Sequence, residues 1–314
     1  MVDTLHYGRS VRKVAARRAA RTRRACPYPW GVLIDLHTHS SASDGTQPSA
    51  DVVRSAALAG LDVVALTDHD TYAGWPAAVD AALEVGVGLV RGVEISCQHR
   101  GISVHLLGYL VDPDHPELRA ELAHAKDSRE TRVARMVHAM AADGIPVTLE
   151  QVRGLAGDGA TLGRPHIADA LVDSGVIRTR DEAFEDLLRN GSRYYASHYA
   201  PDPVRAVELV RAAGGVPVMA HPFANGRGWT VGDEVIESMA RAGLGGLEAD
   251  HRDHTPREKA HAVDLAAQLG LFTTGSSDYH GTGKQNVLGE NTTDPLVLAE
   301  IEDQARSDIE AVRP

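Results

Sequence analysis

The chain is governed by a rhythm in which short apolar segments, most of them closed by His, Asp or Glu, alternate with segments of helical period. Residues 31–37 (GVLIDLH), 61–66 (LDVVAL), 88–95 (GLVRGVEI) and 103–110 (SVHLLGYL) read as strands, with helices predicted over 48–58 and 75–84. Strands separated by helices of about 10–15 residues mark a parallel sheet. Across residues 113–200 the strands stop, and 117–143, 149–155, 165–174 and 180–189 read as helices. This stretch is a predicted helical insertion. The rhythm then resumes with helices over 204–213, 233–242 and 255–269 and strands over 216–220 (VPVMA), 244–249 (LGGLEA) and 271–275 (LFTTG). Seven β units result. The expected fold class is therefore α/β, a (β/α)7 barrel formed by residues 31–112 and 201–290, with 113–200 inserted as a substrate cap and 291–314 as a C-terminal tail.

Composition narrows the function. A hydrophobic fraction of 43% over 314 residues supplies a core, and the absence of a long apolar run predicts no membrane span. Cys26 and Cys97 alone cannot make a disulfide framework or a Cys-rich zinc module, so the reducing cytoplasm is the expected compartment. The net charge of −11 is uneven, with +7 over residues 1–30 and −18 over the remainder. An acidic body argues against a broad nucleic-acid-binding face and suits carboxylates gathered around cations. The basic residues 1–30 have no apolar stretch behind them, so they read as a disordered or mistranslated extension, the alternative being an RNA- or phosphate-attracting arm. Sixteen His against three Phe point to His/Asp/Glu metal sites.

The residues at the strand ends sharpen this. The first strand runs into His37 and His39, with Asp44 in its loop; the second into Asp68, His69 and Asp70; the third ends near Glu94; the fourth carries His105. The fifth runs into His221 and the seventh into Asp278 and His280, while Glu248 and His254 lie near the end of the sixth. In a parallel barrel the C-terminal strand ends form the active-site face. Residues i and i+2 on a strand share a side, so His37 and His39 can converge on one ion, as can Asp278 and His280. A lone His-x-His occurs by chance, but carboxylates ending several buried strands on one rim would repel one another without a cation. Asp68 is either an acceptor that orients a ligand or the cap of the following loop. Cys97 reads as a small buried hydrophobe.

Taken in order, LHTHSSASDGT, VVALTDHDT, VRGVEIS, VHLLGYL, VPVMAHP and GSSDYHG resemble the polymerase and histidinol phosphatase (PHP) superfamily over about residues 32–290. The insertion, with LGRPHIADALV, is similar to the small members acting on nucleoside 3′,5′-bisphosphates and on short 5′-phosphorylated RNA. The resemblance implies a distorted seven-stranded barrel holding two to three divalent ions (Mn, Fe or Zn). By this resemblance His37, His39, Glu94 and Asp278 hold the first ion, Glu94 bridges to a second completed by His105 and His221, and Asp44, His69 and His280 hold the third. The implied chemistry is phosphoester hydrolysis by a hydroxide held between the ions, with no protein nucleophile.

Specificity must come from elsewhere. Arg164 and His166 open a predicted helix, where cationic side chains suit a second phosphate, or they are an exposed Arg and a capping His. Arg132 and Arg135 lie near one helical face and either meet an anionic substrate or pair with Glu130 and Asp127. His254 lines the pocket or caps the helix at Thr255-Pro256, and Lys284 stands in the loop after His280 as a phosphate contact. Tyr194 and Tyr195 either stack a base or pack in the core. The expected partner is a phosphorylated small molecule, nucleotide or short RNA, with no membrane and no obligate protein partner. A histidinol phosphatase, a polymerase-associated proofreading module and a metal-binding regulatory protein without turnover are the rival readings.

Overall fold

The computed structural model describes residues 31–157 and 159–314; the basic segment 1–30 lies outside the described residues. Seven strands pair in sequence order: β1 (Ile34–Asp35), β2 (Val63–Leu66), β3 (Gly88–His99), β4 (Ile102–Tyr109), β5 (Val216–Met219), β6 (Gly246–Asp250) and β7 (Phe272–Gly275). The sheet curls until its edges nearly meet. Past the end of β1, Thr38 bridges Tyr279 beyond β7, and the His39 N–H donates to the Tyr279 carbonyl at 2.8 Å. The side-chain alternation follows the pleat: Val64 and Leu66 join the cluster beneath the outer helices, while Val63 and Ala65 join the cluster that also takes Leu107, Tyr109 and Val218.

One strand departs from the expected all-parallel arrangement. β4 runs antiparallel to both β3 and β5. Only Arg100 and Gly101 separate β3 from β4, and both have positive φ (49° and 86°), the backbone of a tight hairpin turn. Two residues cannot make a parallel crossover. The reversal brings the first half of β4 to the rim where the other strands end, and His105 pairs opposite Ser96.

Helices α1 (Ser49–Leu58), α2 (Trp75–Val85), α7 (Pro203–Ala212), α8 (Asp233–Ala242) and α9 (Pro256–Leu269) connect the strands. Proline at the first turn and a side-chain cap start several of them: Asp202 accepts from the Val204 N–H, and Thr255 and Glu258 form a reciprocal capping box. Between β4 and α7 lie α3 (Pro116–Ala142), α4 (Leu149–Ala156), α5 (Arg164–Asp173) and α6 (Arg180–Glu185), with no strand between them among the described residues. The N-terminal half of α3 buries Leu118 and Leu122 in the barrel cluster; its C-terminal half buries Val133, Met136 and Met140 with Ile167 and Leu171 in a second cluster. The segment read as a tail contains α10 (Pro295–Gln304), which inserts Leu298 and Ile301 into the cluster of Val63 and Tyr109, and beyond it Val312 pairs with Leu89.

Candidate metal centre

The nine side chains singled out at the strand ends stand together at one rim. β1 delivers His37 and His39 to the same side. The loop that follows turns back so tightly that a Cβ on Gly45 would lie 2.5 Å from the His39 carbonyl oxygen, and it returns Asp44 to the centre. Asp68, beyond β2, fastens this loop: its carboxylate accepts from the Ser40 N–H (2.8 Å), the Ser40 hydroxyl (2.7 Å) and the Ser43 hydroxyl (2.6 Å). Ser43 in turn lies 3.4 Å from Nδ1 of His39, so both readings of Asp68 describe one contact chain. His69 bridges Glu94 of the longer β3. His221 and Asp278 sit past their strands at φ 30° and 54°, in the left-handed region that non-glycine residues seldom occupy.

Glu94 is the hub. Its Oε2 lies 3.3 Å from His37 Nε2, 3.0 Å from His39 Nε2 and 3.2 Å from His69 Nδ1; its Oε1 lies 2.9 Å from His105 Nδ1 and 3.4 Å from His221 Nε2. Asp278 Oδ1 lies 3.6 Å from His37 and 3.5 Å from His39. Asp44 reaches His280 at 3.1 Å and His69 at 3.8 Å. Three overlapping groups have ligand atoms close enough to hold an ion: His37, His39 and Asp278; His69, Glu94 and His105; and His39, Asp44, His69 and His280.

The electrostatics fit divalent ions. Burial opposes the charge on Glu94, Asp44 and Asp278, yet the surrounding imidazoles, and for Asp278 chiefly Lys284, hold all three well below the usual carboxylate range. Burial pushes His69 well down, His221 to about 3 and His280 to about 4, against the pull of the neighbouring carboxylates. Burial also opposes charge on His37, but Glu94, Glu248 and Asp278 outweigh it and raise the ring well above its ordinary value. Among the described residues, Oδ1 of Asp44, Nδ1 of His69, Oε1 of Glu94 and Nε2 of His280 are buried without a hydrogen bond. Nitrogen and carboxylate donors in this state suit manganese, iron or zinc.

Several contributors had no role assigned from sequence. Glu248, fully buried on β6, accepts from His37 Nδ1 at 3.0 Å and from the His221 N–H at 2.8 Å, fixing the tautomer that turns Nε2 of His37 toward Glu94. Arg129 of α3 reaches Asp70 at 2.8 Å, while Asp70 accepts from the N–H and hydroxyl of Ser96. Arg227, in the loop after His221, donates to Asp278 Oδ2 at 2.8 Å and also pairs with Asp253. His251 Nε2 lies 3.5 Å from the same Asp278 oxygen. Arg129 belongs to a visible Arg cluster and Glu248 to a visible strand end; for Arg227 and His251 no periodic signal exists.

The six candidate substrate contacts are placed as follows. Lys284 lies 2.9 Å from Asp278 Oδ2. Arg132 and Arg164 flank Tyr195, their guanidinium carbons 5.0 and 6.0 Å from its ring centre. Arg132 donates to the Ala196 carbonyl, Arg164 to the Leu188 carbonyl and to Asn190, and among the described residues neither meets a carboxylate. Burial and the neighbouring Arg164 and Arg129 push Arg132 down to about 9. His198 shares this cationic wall: burial, then Arg132, Arg129 and Arg164, lower it to about 3, and among the described residues its Nδ1 has no hydrogen-bond partner. His166 caps α5 by accepting from the Gly163 N–H at 3.0 Å and is buried. Arg135 donates to the Ser197 carbonyl at 3.3 Å and lines a shallow groove with Asp127 and His138. His254 is engaged on both ring nitrogens, with the Phe223 N–H and the Ala249 carbonyl.

A family model described as PHP domain matches residues 35–155. A 5′-3′ exoribonuclease of Haemophilus influenzae is 34% identical over 258 residues, covering 82% of this chain and 93% of the relative. A 3′,5′-nucleoside bisphosphate phosphatase of Chromobacterium violaceum is 32% identical, with 80% and 88% covered. A phosphoribosyl 1,2-cyclic phosphate 1,2-diphosphodiesterase of Eggerthella lenta is 33% identical, with 80% and 95% covered. Among solved structures, a protein of Bifidobacterium adolescentis described provisionally as a metal-dependent phosphoesterase superposes with a TM-score of 0.86 at 38% identity, covering 90% of this chain and 99% of that one. No helix among the described residues is long and apolar enough to cross a membrane.

Proposed function

Because this chain belongs to the PHP family of phosphoesterases, we propose that it hydrolyses the ester at O3′ of a nucleotide that also carries a 5′-phosphate. A nucleoside 3′,5′-bisphosphate and a short 5′-phosphorylated RNA share that arrangement. In the first, cleavage of the P–O3′ bond releases phosphate; in the second it releases a 5′-mononucleotide. One relative is named a 5′-3′ exoribonuclease and another a 3′,5′-nucleoside bisphosphate phosphatase, which supports the reading.

His37, His39, Glu94 and Asp278 would hold one ion, Glu94, His105 and His221 a second, and Asp44, His69 and His280 a third. Such ions neutralise phosphoryl oxygens and acidify water, which is the chemistry a phosphate ester demands. The chain's own residues do the rest. Glu248 and Ser43 orient His37 and His39. Arg227 and Lys284 lean on the outer oxygen of Asp278 and place two cations beside the scissile phosphate. Arg132 and Arg164 receive the 5′-phosphate, with His166 fixing the start of α5 beneath Arg164. His254 holds the loop from Phe223 against β6.

The observation that carries this reading is the pairing of two regions: the buried carboxylate–imidazole cluster, which would draw phosphate once it holds its cations, and a wall of Arg132, Arg164 and Arg129 in which, among the described residues, Arg132 and Arg164 have no acidic partner. A substrate with one phosphate leaves the second region empty. The test is a panel of adenosine 3′,5′-bisphosphate, histidinol phosphate, a 1,2-cyclic phosphate and 5′-phosphorylated oligoribonucleotides, each with Mn²⁺, Fe²⁺ or Zn²⁺. Turnover of the bisphosphate or the oligonucleotides is expected; turnover of histidinol phosphate or the cyclic phosphate alone would overturn the nucleotide assignment. The expected setting is the cytoplasm.

A further inference from the structure

We propose that Trp229 is a stacking platform for the base of the substrate, a site that rests on the nucleotide reading above. Trp229 is 87% exposed, whereas Trp75, the other described tryptophan, is 6% exposed and hydrogen-bonded to the Gly92 carbonyl. A scattered exposed aromatic is ordinary on a protein surface. This one stands on the loop that sends Arg227 into the carboxylate–imidazole cluster.

The loop that bears it is anchored on both sides. Phe223, Ala224 and Val231 are buried, the Thr230 hydroxyl donates to Asn225, and Asn225 donates to Glu258 at 2.6 Å. Two residues before Trp229, Arg227 reaches down to Asp278 in the carboxylate–imidazole cluster. One residue before it, Gly228 faces Asn190: a Cβ there would stand 3.7 Å from the Asn190 amide nitrogen. Asn190 in turn accepts from Arg164. Residues 227 and 228 are therefore linked by side-chain contacts to both the carboxylate–imidazole cluster and the arginine wall, and connectivity keeps the Trp229 Cα within ~7 Å of the Arg227 Cα.

Between the 5′- and 3′-phosphates of a nucleotide lies the ribose, and the base projects sideways from it. A ligand whose phosphates occupy both regions must turn its base toward solvent along this loop. An indole face is what an unpaired base seeks there, and stacking accepts any base because each has a π-face. Thus the loop after β5 would sense that the ligand is a nucleotide, independently of the phosphates.

Two measurements decide this. Steady-state kinetics would compare wild type, W229A and W229F on adenosine 3′,5′-bisphosphate and on a baseless ribose 3,5-bisphosphate. W229A should raise KM for the adenosine compound about tenfold with kcat little changed, W229F should recover most of the loss, and the baseless compound should show no difference. In parallel, intrinsic fluorescence of the metal-free protein would be titrated with adenosine 5′-monophosphate; quenching should occur in wild type and vanish in W229F. An unchanged KM in W229A, an equal rise for the baseless compound, or quenching that persists in W229F would overturn the platform alone. A wild-type protein that neither turns over nor is quenched by any nucleotide would overturn the nucleotide reading with it.

Discussion

Glu248→Gln isolates how the centre is held, because Glu248 is not one of the nine side chains yet touches two of them. Its carboxylate is fully buried and accepts from both His37 Nδ1 and the His221 N–H. Burial opposes its charge, but His37, His251 and His221 hold it down to about 2. Glutamine keeps the volume but offers one acceptor in place of two. If its oxygen faces His37, its NH₂ opposes the His221 N–H, donor to donor. If it flips, His37 must move its proton to Nε2, the nitrogen aimed at Glu94 and Asp278. Either way one hydrogen bond to a charged acceptor is lost, worth ~1.5–3 kcal/mol. At ~1.4 kcal/mol per tenfold, metal affinity should fall by about 10- to 100-fold. Competition with a chromophoric chelator measures this on the folded protein, with circular dichroism showing that the variant is folded at the assay temperature. A folded variant whose Mn²⁺ or Zn²⁺ affinity stays within about threefold of wild type would refute the argument that Glu248 orients a ligand.

Four other expectations follow from the geometry. Asp278→Asn should abolish turnover while leaving the far-UV spectrum unchanged, since it removes a carboxylate that faces His37, Arg227 and Lys284 and would bind an ion; near-wild-type rates with saturating metal would contradict it. Arg164→Gln should raise KM for a bisphosphate and leave a monophosphate such as 4-nitrophenyl phosphate unaffected, which parallel kinetics would show. His198 is lowered from 6.5 to about 3, so below pH 6.5 the unfolded chain takes up a proton that the folded one refuses, and stability falls as pH drops from 6.5 toward 3. His198→Gln should therefore recover ~1 kcal/mol at pH 5 and nothing at pH 8 in denaturant titrations, a figure reduced for the partial exposure of the ring. Gly45→Ala sets a Cβ against the His39 carbonyl and should destabilise the metal-free protein by ~1–3 kcal/mol in thermal unfolding.

Much of the barrel was legible because two periodicities write it. Apolar runs of four to eight residues fixed by the pleat gave strands such as Val63–Leu66, and the spacing of intervening helices gave their order. The rule that strand ends share a face then gathers His37, His69, Glu94, His221 and Asp278 from across the chain. The direction of β4 was missed because the helical rhythm suggested crossovers, although Arg100-Gly101 between two apolar runs is a hairpin signal. α10 was missed because its start, Asp294-Pro295, stands at the far end of the long loop that leaves β7, beyond the short spacing of the other strand–helix units. Arg227 and His251 reach the site from loops, whose paths are set by tertiary contacts and not by local pattern. Arg129 was overlooked in favour of Arg132 and Arg135 because helical spacing tells which residues share a face, not which face meets the barrel.

The account stands on the convergence of nine side chains around divalent ions, and anomalous diffraction from crystals grown with Mn²⁺, recorded on both sides of the metal edge, tests that most directly. Two or three peaks are expected, each within direct bonding distance of its share of His37, His39, Asp44, His69, Glu94, His105, His221, Asp278 and His280. A fully loaded crystal with no peak at this rim, or with peaks only at surface pairs such as His99 and Asp202, would contradict it.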